Sequence, residues 1–321
     1  MNQSSTRNTI FSHEFTFKIT ENNKYIDSER VDLINSSTNG QFYISALVTD
    51  KNQLDVKIFK TFLQSAIATI YIKVADQAYS IIDISDWKES CEIYNIPIPS
   101  YCYKCYYCKK VGPHKEHDLL FTYFKITSKI IWYGFIDEFK LSDLNHDVQN
   151  YPIRSEFSDV VIKTRDKIFP AHKIILAIQS PVFAKTLTTE TKESKENCIF
   201  LQNVDGDVVE ELMTFMYERK LEKVYNDDVI ALKLFKIAGM YQIKKLVSIC
   251  GLILSKSLTM NNVLMLYETA KKYDSFILKH RAMAFILINR NDIIPSNIFK
   301  EFCIKEPGLM YEIIENLNNI Y

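Results

Sequence analysis

Apolar and polar positions alternate over short stretches in the first part of the chain, about residues 8 to 140. The alternating apolar residues are Phe15, Phe17 and Ile19, then Phe42, Ile44, Ala46 and Val48, then Val56 and Ile58, then Ala68, Ile70, Ile72 and Val74, and finally Leu120, Phe124 and Ile126. A period of two places successive side chains on opposite faces, so each stretch predicts a half-buried strand. Five or more strands bury enough surface only if two sheets pack face to face, which predicts an antiparallel β-sandwich.

The second half of the chain has a different pattern. Residues 160–162 and 168–169 are apolar and flank a polar turn, which predicts a β-hairpin. Residues 171–178 then have helical apolar spacing. Ser180 and Pro181 predict the start of another helix, because Ser is a favoured N-cap and Pro lacks only an N–H that the first helical position does not need.

Further helices are predicted along the remaining chain. Asp207 and Glu210 have the spacing of a capping box, and the acidic residues at 226–228 suit the positive end of a helix dipole. After residue 258, helical spacing continues at 262–273 and 275–289. A last predicted helix is marked by Leu309, Ile313, Leu317 and Ile320.

Residues 157–183, which read FSDVVIKTRDKIFPAHKIILAIQSPVF, resemble the opening of a BTB/POZ domain, a fold that recruits proteins and performs no chemistry. The family's Tyr and short charged turn at a helix end match residues 216–220. A sandwich directly before such a domain is similar to the MATH/BTB family, which includes speckle-type POZ and TD and POZ domain-containing proteins. The predicted class is therefore α+β and multidomain. The expected parts are a MATH-like β-sandwich at 8–140, a linker at 141–154, a BTB/POZ domain at 155–258 and a helical BACK-like region at 259–321.

The resemblance implies a function without chemistry. MATH/BTB proteins recruit substrates to cullin-3 RING E3 ubiquitin ligases, with the sandwich binding a client protein while the BTB domain forms a homodimer and docks cullin-3. On this basis we expect no catalytic residue and no cofactor. The alternative is a BTB-dimerised scaffold that does not engage cullin. An enzyme is disfavoured, since no nucleophile, metal triad or phosphate loop stands out in the sequence.

Particular residues take roles from the same resemblance. The implied cullin-binding residues are Leu187, Thr191, Glu193 and Tyr217, and the implied dimer-interface residues are Asp159, Ile174, Ile175 and Ile178. We expect Asp159 to be buried and His172 to be structural. The family presents a hydrophobic residue, any residue, then Glu to cullin-3, and here Thr191 replaces the hydrophobic one. Losing two or three methylenes predicts binding weakened by about tenfold or more.

The family's aromatic cleft motif, Trp-Gly-Phe, is replaced by residues 101–108, so no cleft residue is assigned. The replacement introduces metal-ligand spacings, with Cys102, Cys105 and Cys108 as CxxCxxC and His114 and His117 as HxxH. These residues are numerous enough for a tetrahedral zinc site. A strand would point Cys105 away from the other two, which favours the alternative of surface thiols in a diverged insertion.

Composition limits the choice of partners. The 321 residues are 47% apolar and 24% charged, which is ordinary for a globular protein. The chain has 39 Lys plus Arg and 39 Asp plus Glu, so its charge does not suggest that it binds nucleic acid. No stretch approaches the roughly 18 apolar residues that a membrane span needs, and the start MNQSSTRNT lacks a signal-peptide core. Seven cysteines, an odd number, predict a reduced intracellular protein, in the nucleus or the cytoplasm.

Overall fold

The computed structural model describes residues 9–19, 25–28, 31–35, 38–48, 53–61, 65–74, 78–88, 90–97, 122–135 and 157–318. The chain divides into two compact units. One unit comprises the described residues of Met1–Asp137 and of Cys303–Tyr321, and the other comprises those of Glu138–Phe302. The helical region predicted as a single part at 259–321 is therefore divided between the two units.

Two antiparallel sheets make up the strand-rich unit. Its described strands are β1 (Thr9–Ile19), β2 (Tyr25–Asp27), β3 (Val31–Asn35), β4 (Thr38–Val48), β5 (Gln53–Lys60), β6 (Ala66–Val74), β7 (Ala78–Trp87), β8 (Ser90–Pro97) and β9 (Thr122–Phe135). One sheet has the order β1-β9-β6-β7. The other has the order β2-β4-β5-β8, with β3 also paired to β4.

The two sheets share one hydrophobic core. Ile44 and Ile58 reach it from the second sheet, and Ile70 and Ile130 reach it from the first. The rings of Trp87 and Trp132 lie in the same core with their centroids 6.5 Å apart. The prediction of two packed antiparallel sheets is thus confirmed.

Several strands differ from the sequence prediction. The alternating pattern did not indicate β2, β3, β7 or β8, and β9 continues to Phe135, well beyond Ile126. The adjacent pair Ile81 and Ile82 interrupts the alternation in β7, which forms one edge of its sheet. A sheet edge is not buried evenly on one face, so the period of two weakens there.

The second unit begins with the predicted hairpin. Strands β10 (Val160–Lys163) and β11 (Ile168–Ala171) pair antiparallel, and β12 (Cys198–Phe200) adds parallel to β10. The strand β11 contains Pro170 instead of ending before it. Since β11 is an edge strand, the missing N–H of Pro170 costs no sheet hydrogen bond.

Helices form the remainder of the described chain. They are α1 (Lys173–Gln179), α2 (Pro181–Thr188), α3 (Lys192–Glu196), α4 (Gly206–Glu218), α5 (Asp228–Met240), α6 (Lys244–Lys256), α7 (Val263–Lys272), α8 (Phe276–Ile288), α9 (Arg290–Ile293), α10 (Asn297–Lys305) and α11 (Pro307–Asn318). None of the described helices is both long and apolar enough to cross a membrane.

Helices on both sides of residue 258 share one core. Phe183 of α2 and Phe235 of α5 belong to it, and so does Leu278 of α8. Gly239 on α5 also packs closely against Tyr273, which lies after residue 258. There is no room for a side chain at Gly239, because an added Cβ would clash with the Tyr273 ring. The packing is therefore continuous across the predicted boundary at residue 258.

The predicted capping box at Asp207 and Glu210 is wrong. The helix begins two residues earlier than expected, and its N-cap is Asp205. Asp207 instead lies 2.9 Å from Nζ of Lys167, and Glu210 lies 3.0 Å from Nζ of Lys223. These lysines come from the hairpin turn and from the segment after α4, so long-range charge pairing replaces the local cap.

Candidate protein-interaction site

Hydrogen bonds to other elements hold both ends of helix α1. At its start, the Tyr217 hydroxyl accepts a hydrogen bond from the backbone N–H of His172 at 2.9 Å and lies 2.9 Å from His172 Nδ1. The Asp159 carboxylate accepts from the backbone N–H of Lys173 at 2.7 Å. At its end, Nε2 of Gln179 donates to the Met216 carbonyl at 2.6 Å. The helix is therefore fixed in orientation although it has only seven residues.

Helix α1 exposes two large apolar side chains. Ile174 is 65% exposed and Ile178 is 75% exposed, and their spacing of four residues places them on the same helix face. We call these two residues the α1 face. Leu176 is fully buried, and Ile175 packs against the core. The predicted dimer residues of this helix thus divide into core and surface members.

Asp159 differs from the expectation that it would be buried. It is exposed in the single chain, at the N-terminal end of α1. Its backbone N–H donates to the Ala171 carbonyl across the hairpin, which places Asp159 directly before β10, where its carboxylate is exposed to water.

The turn from α2 into α3, residues 187–196, carries the other predicted contacts. Thr191 caps α3, because its Oγ1 accepts from the Ser194 N–H at 3.1 Å and donates to the Thr186 carbonyl at 2.7 Å. Leu187 is only 7% exposed and packs in the core. The hydroxyl of Thr191 therefore donates one hydrogen bond and accepts one inside the chain.

The Glu193 carboxylate differs from those of its neighbours. Glu190 lies 3.7 Å from Nζ of Lys195, and Glu196 lies 3.9 Å from Nζ of Lys192. Within residues 157–318, Glu193 forms no such ion pair. Its charge acts instead on Tyr241, whose pKa is raised first by burial and then by the Glu193 carboxylate.

The assignment of Tyr217 as a surface contact needs correction. Its side chain is 1% exposed, and its hydroxyl bonds to His172. Burial is the main cause of the raised pKa of its phenol. Tyr217 therefore positions α1, and of the four predicted cullin-binding residues only Thr191 and Glu193 are accessible.

Arg219 belongs to the charged turn at 216–220, but no role of its own was predicted for it. It ends α4 in the left-handed region at φ 56°, where Gly or Asn is usual. Its guanidinium donates to Oε1 of Gln179 and lies 5.1 Å from the Phe215 ring centroid. Burial lowers its pKa. The only sequence cue is its place after the helix, where Gly would have been expected.

The possible zinc ligands cannot be placed in this site. Cys102, Cys105, Cys108, His114 and His117 all lie outside the described residues. Within the part of the chain that the structure describes, no cluster of three His, Cys, Asp or Glu side chains could hold a metal ion.

Comparison with known proteins identifies the family. Residues 149–258 match the model of the BTB/POZ domain. A BTB/POZ domain-containing protein of Arabidopsis thaliana is 31% identical over 179 residues, which cover 54% of this chain and 72% of that protein. The chain belongs to the BTB/POZ domain family. The α1 face, the turn at 187–196 and Arg219 all lie within the matched BTB domain.

Two further relatives share only part of their length with this chain. TD and POZ domain-containing protein 4 of Mus musculus is 27% identical over 174 residues, covering 54% of this chain and 47% of that protein. Kelch-like protein 40 of Xenopus laevis is 31% identical over 114 residues, covering 36% of this chain and 18% of that protein. The chain therefore spans less than half of each of these two relatives.

Proposed function

We propose that this protein is an adaptor of a cullin-3 RING E3 ubiquitin ligase. The BTB domain forms a homodimer and docks cullin-3, and the N-terminal unit, as a MATH-like sandwich, binds a client protein. The adaptor is not an enzyme and uses no cofactor. It increases the rate by holding client lysines near a ubiquitin-loaded enzyme at high effective concentration. This role requires an intracellular location, in the nucleus or the cytoplasm.

The observation that carries the cullin contact is the carboxylate of Glu193, which forms no ion pair within residues 157–318. An acidic side chain that is oriented by a capped helix, and whose neighbours are already paired, is available to a cationic or N–H donor group on a partner. The family resemblance assigns the same residue to cullin-3. Chemistry and resemblance therefore agree on Glu193.

Thr191 limits the strength of the contact. Its side chain offers one methyl group where a Met or Leu would fill a pocket, and its hydroxyl is occupied by Ser194 and Thr186. Each missing methylene forfeits about 0.8 kcal/mol of apolar burial. The adaptor is thus expected to bind cullin-3 about tenfold more weakly than one with the full motif.

A direct test is co-purification of the full chain with cullin-3. The wild type should form a complex, and Glu193→Ala should retain less cullin-3 at the same protein concentrations. Glu190→Ala is the matched control, since its side chain is 94% exposed and already lies near Lys195. Equal binding by both variants and the wild type would remove Glu193 from the contact.

A second candidate is a BTB scaffold that dimerises without cullin. The exposed isoleucines of the α1 face favour it, because they suit self-association and are not among the predicted cullin-binding residues. A stable dimer that fails to retain cullin-3 during co-purification would support this alternative.

A further inference from the structure

Opposite charges lie at the two ends of α1. The exposed Asp159 carboxylate lies at the start of the helix, bonded to the Lys173 N–H. The Arg219 guanidinium lies at its end, bonded to Gln179. The α1 face, Ile174 and Ile178, occurs between these two ends along the helix.

Neither charge is neutralised within residues 157–318. Asp159 has no lysine or arginine within ion-pair distance in that range, and Arg219 has no carboxylate. The carboxylate adjacent in sequence, Glu218, lies 3.2 Å from Nζ of Lys220 instead. The side chain of Arg219 is nevertheless held in place by Gln179 and by the Phe215 ring. A fixed, partly buried cation that has no counter-ion within residues 157–318 suits a carboxylate from a second protein chain.

Symmetry suggests the source of that carboxylate. A two-fold axis perpendicular to α1 would place this helix antiparallel to its copy, so the start of one helix faces the end of the other. Seven residues rise only about 10 Å, which brings both ends of the pair within one small interface. The exposed isoleucines would then meet in the middle, and opposite charges would meet at both ends.

The geometry points to two symmetric ion pairs in a homodimer, each between Asp159 of one protomer and Arg219 of the partner subunit. These pairs set the antiparallel register of α1 on α1, while the α1 face supplies the apolar contact. The occupant of this surface is a second copy of the chain. The inference rests on the dimer in the proposed function and adds the residues that fix its geometry.

A mixing experiment with two charge reversals tests the pairing between protomers. In the full chain, Asp159→Arg places two cations together at each end of the homodimer, and Arg219→Asp places two carboxylates together. Each variant alone should dimerise about tenfold more weakly than the wild type. When the two variants are mixed, every pair becomes complementary again. Native mass spectrometry should then show mainly heterodimers, with sedimentation giving a dissociation constant within about twofold of the wild type.

Control variants separate the interface from the fold. Lys220→Asp reverses a charge next to Arg219 and should leave the dissociation constant unchanged. Asp159→Asn keeps an oxygen for the Lys173 N–H and should weaken the dimer less than Asp159→Arg does. Arg219→Gly removes the cation and also the left-handed strain, so it should weaken the dimer. At protein concentrations low enough for both proteins to be monomeric, its melting temperature should equal or exceed that of the wild type.

The possible outcomes are distinct. If the wild type is a dimer but the mixed variants form homodimers and heterodimers in statistical proportion, the ion pairs are contradicted and the dimer is not. A dimer unaffected by Arg219→Gly and Asp159→Asn would do the same, even if the reversals failed to fold. A wild-type monomer at micromolar concentration would overturn both the dimer and the pairs.

Discussion

The α1 face and the turn at 187–196 are two neighbouring surfaces of the BTB domain with opposite chemistry. The α1 face leaves Ile174 and Ile178 exposed, and nothing in the described second unit covers them. In the turn, the apolar Leu187 is buried and the hydroxyl of Thr191 is bonded internally. The first surface therefore gains free energy by burial, whereas the second offers mainly the charge of Glu193.

The two helices are also held differently. Helix α1 depends on Asp159 and Tyr217, which are distant in sequence, whereas α3 depends on the adjacent Thr191. A surface anchored from several elements is rigid enough for a permanent contact, because little order is lost on binding. We infer that the α1 face makes the stable dimer and that the turn makes the weaker, exchangeable contact.

The largest effect is expected from Ile178→Asp. The charge would enter an apolar interface without a partner, which costs several kcal/mol and should weaken the dimer by at least about 100-fold. Because Ile178 is 75% exposed in the single chain, the fold should remain intact. Light scattering measures the oligomeric state. Val229→Asp, at an apolar position that is 61% exposed on another helix, should stay dimeric.

Tyr217→Phe tests the anchoring of α1. The substitution removes the acceptor of the His172 N–H and leaves a partly buried donor unsatisfied. We expect the free energy of unfolding to fall by about 1–2 kcal/mol, measured by urea denaturation. Hydrogen exchange at the start of α1 should increase at the same time. Unchanged stability and unchanged exchange would mean that Tyr217 does not anchor the helix.

Paired substitutions at Thr191 separate its cap from its methyl group. Thr191→Val keeps the shape but loses the bonds to Ser194 and Thr186, so it should destabilise α3 by about 1 kcal/mol. Thr191→Ser keeps the cap and loses only the methyl group, so thermal denaturation should show a smaller change. Thr191→Met should still strengthen the binding of cullin-3. The gain should be smaller than the added apolar area suggests, because the helix cap is lost.

The smallest expected effect is a loss of stability at alkaline pH. Burial raises the pKa of the Tyr217 phenol above its unfolded value of about 10. The neutral phenol is thus favoured in the folded chain, and its contribution is complete below about pH 10 and lost as pH rises through the folded pKa. The stability of wild type and Tyr217→Phe should therefore converge above pH 10. A constant difference from pH 8 to 11 would contradict this.

Some local signals in the sequence were read correctly, whereas long-range contacts could not be predicted. Ser180 caps α2 as predicted, since an N-cap depends only on residues two or three positions away. The predicted acidic start of α5 is also present, and Asp227 caps that helix. The hairpin of β10 and β11 was also predicted, because its polar turn lies between two apolar segments. In contrast, Asp207 and Glu210 have partners that no local pattern reveals.

The sequence predicted which residues lie in or near the candidate site, but not which of their side chains are exposed. Family spacing selected Glu193 and Ile178, yet it also selected Tyr217, which the fold buries. Helical periodicity cannot distinguish an outward isoleucine from an inward one when both suit an apolar stripe, as with Ile174 and Ile175. Arg219 could not be found, because its left-handed backbone is set by packing and by the contact with Gln179.

The most direct test of the adaptor function is calorimetric titration of cullin-3 into the full chain, for the wild type and for Thr191→Met. The proposal predicts measurable heat for the wild type, tighter binding for Thr191→Met and weaker binding for Glu193→Ala. Absence of heat and of complex for both the wild type and Thr191→Met would contradict it and would leave the cullin-independent scaffold as the better description.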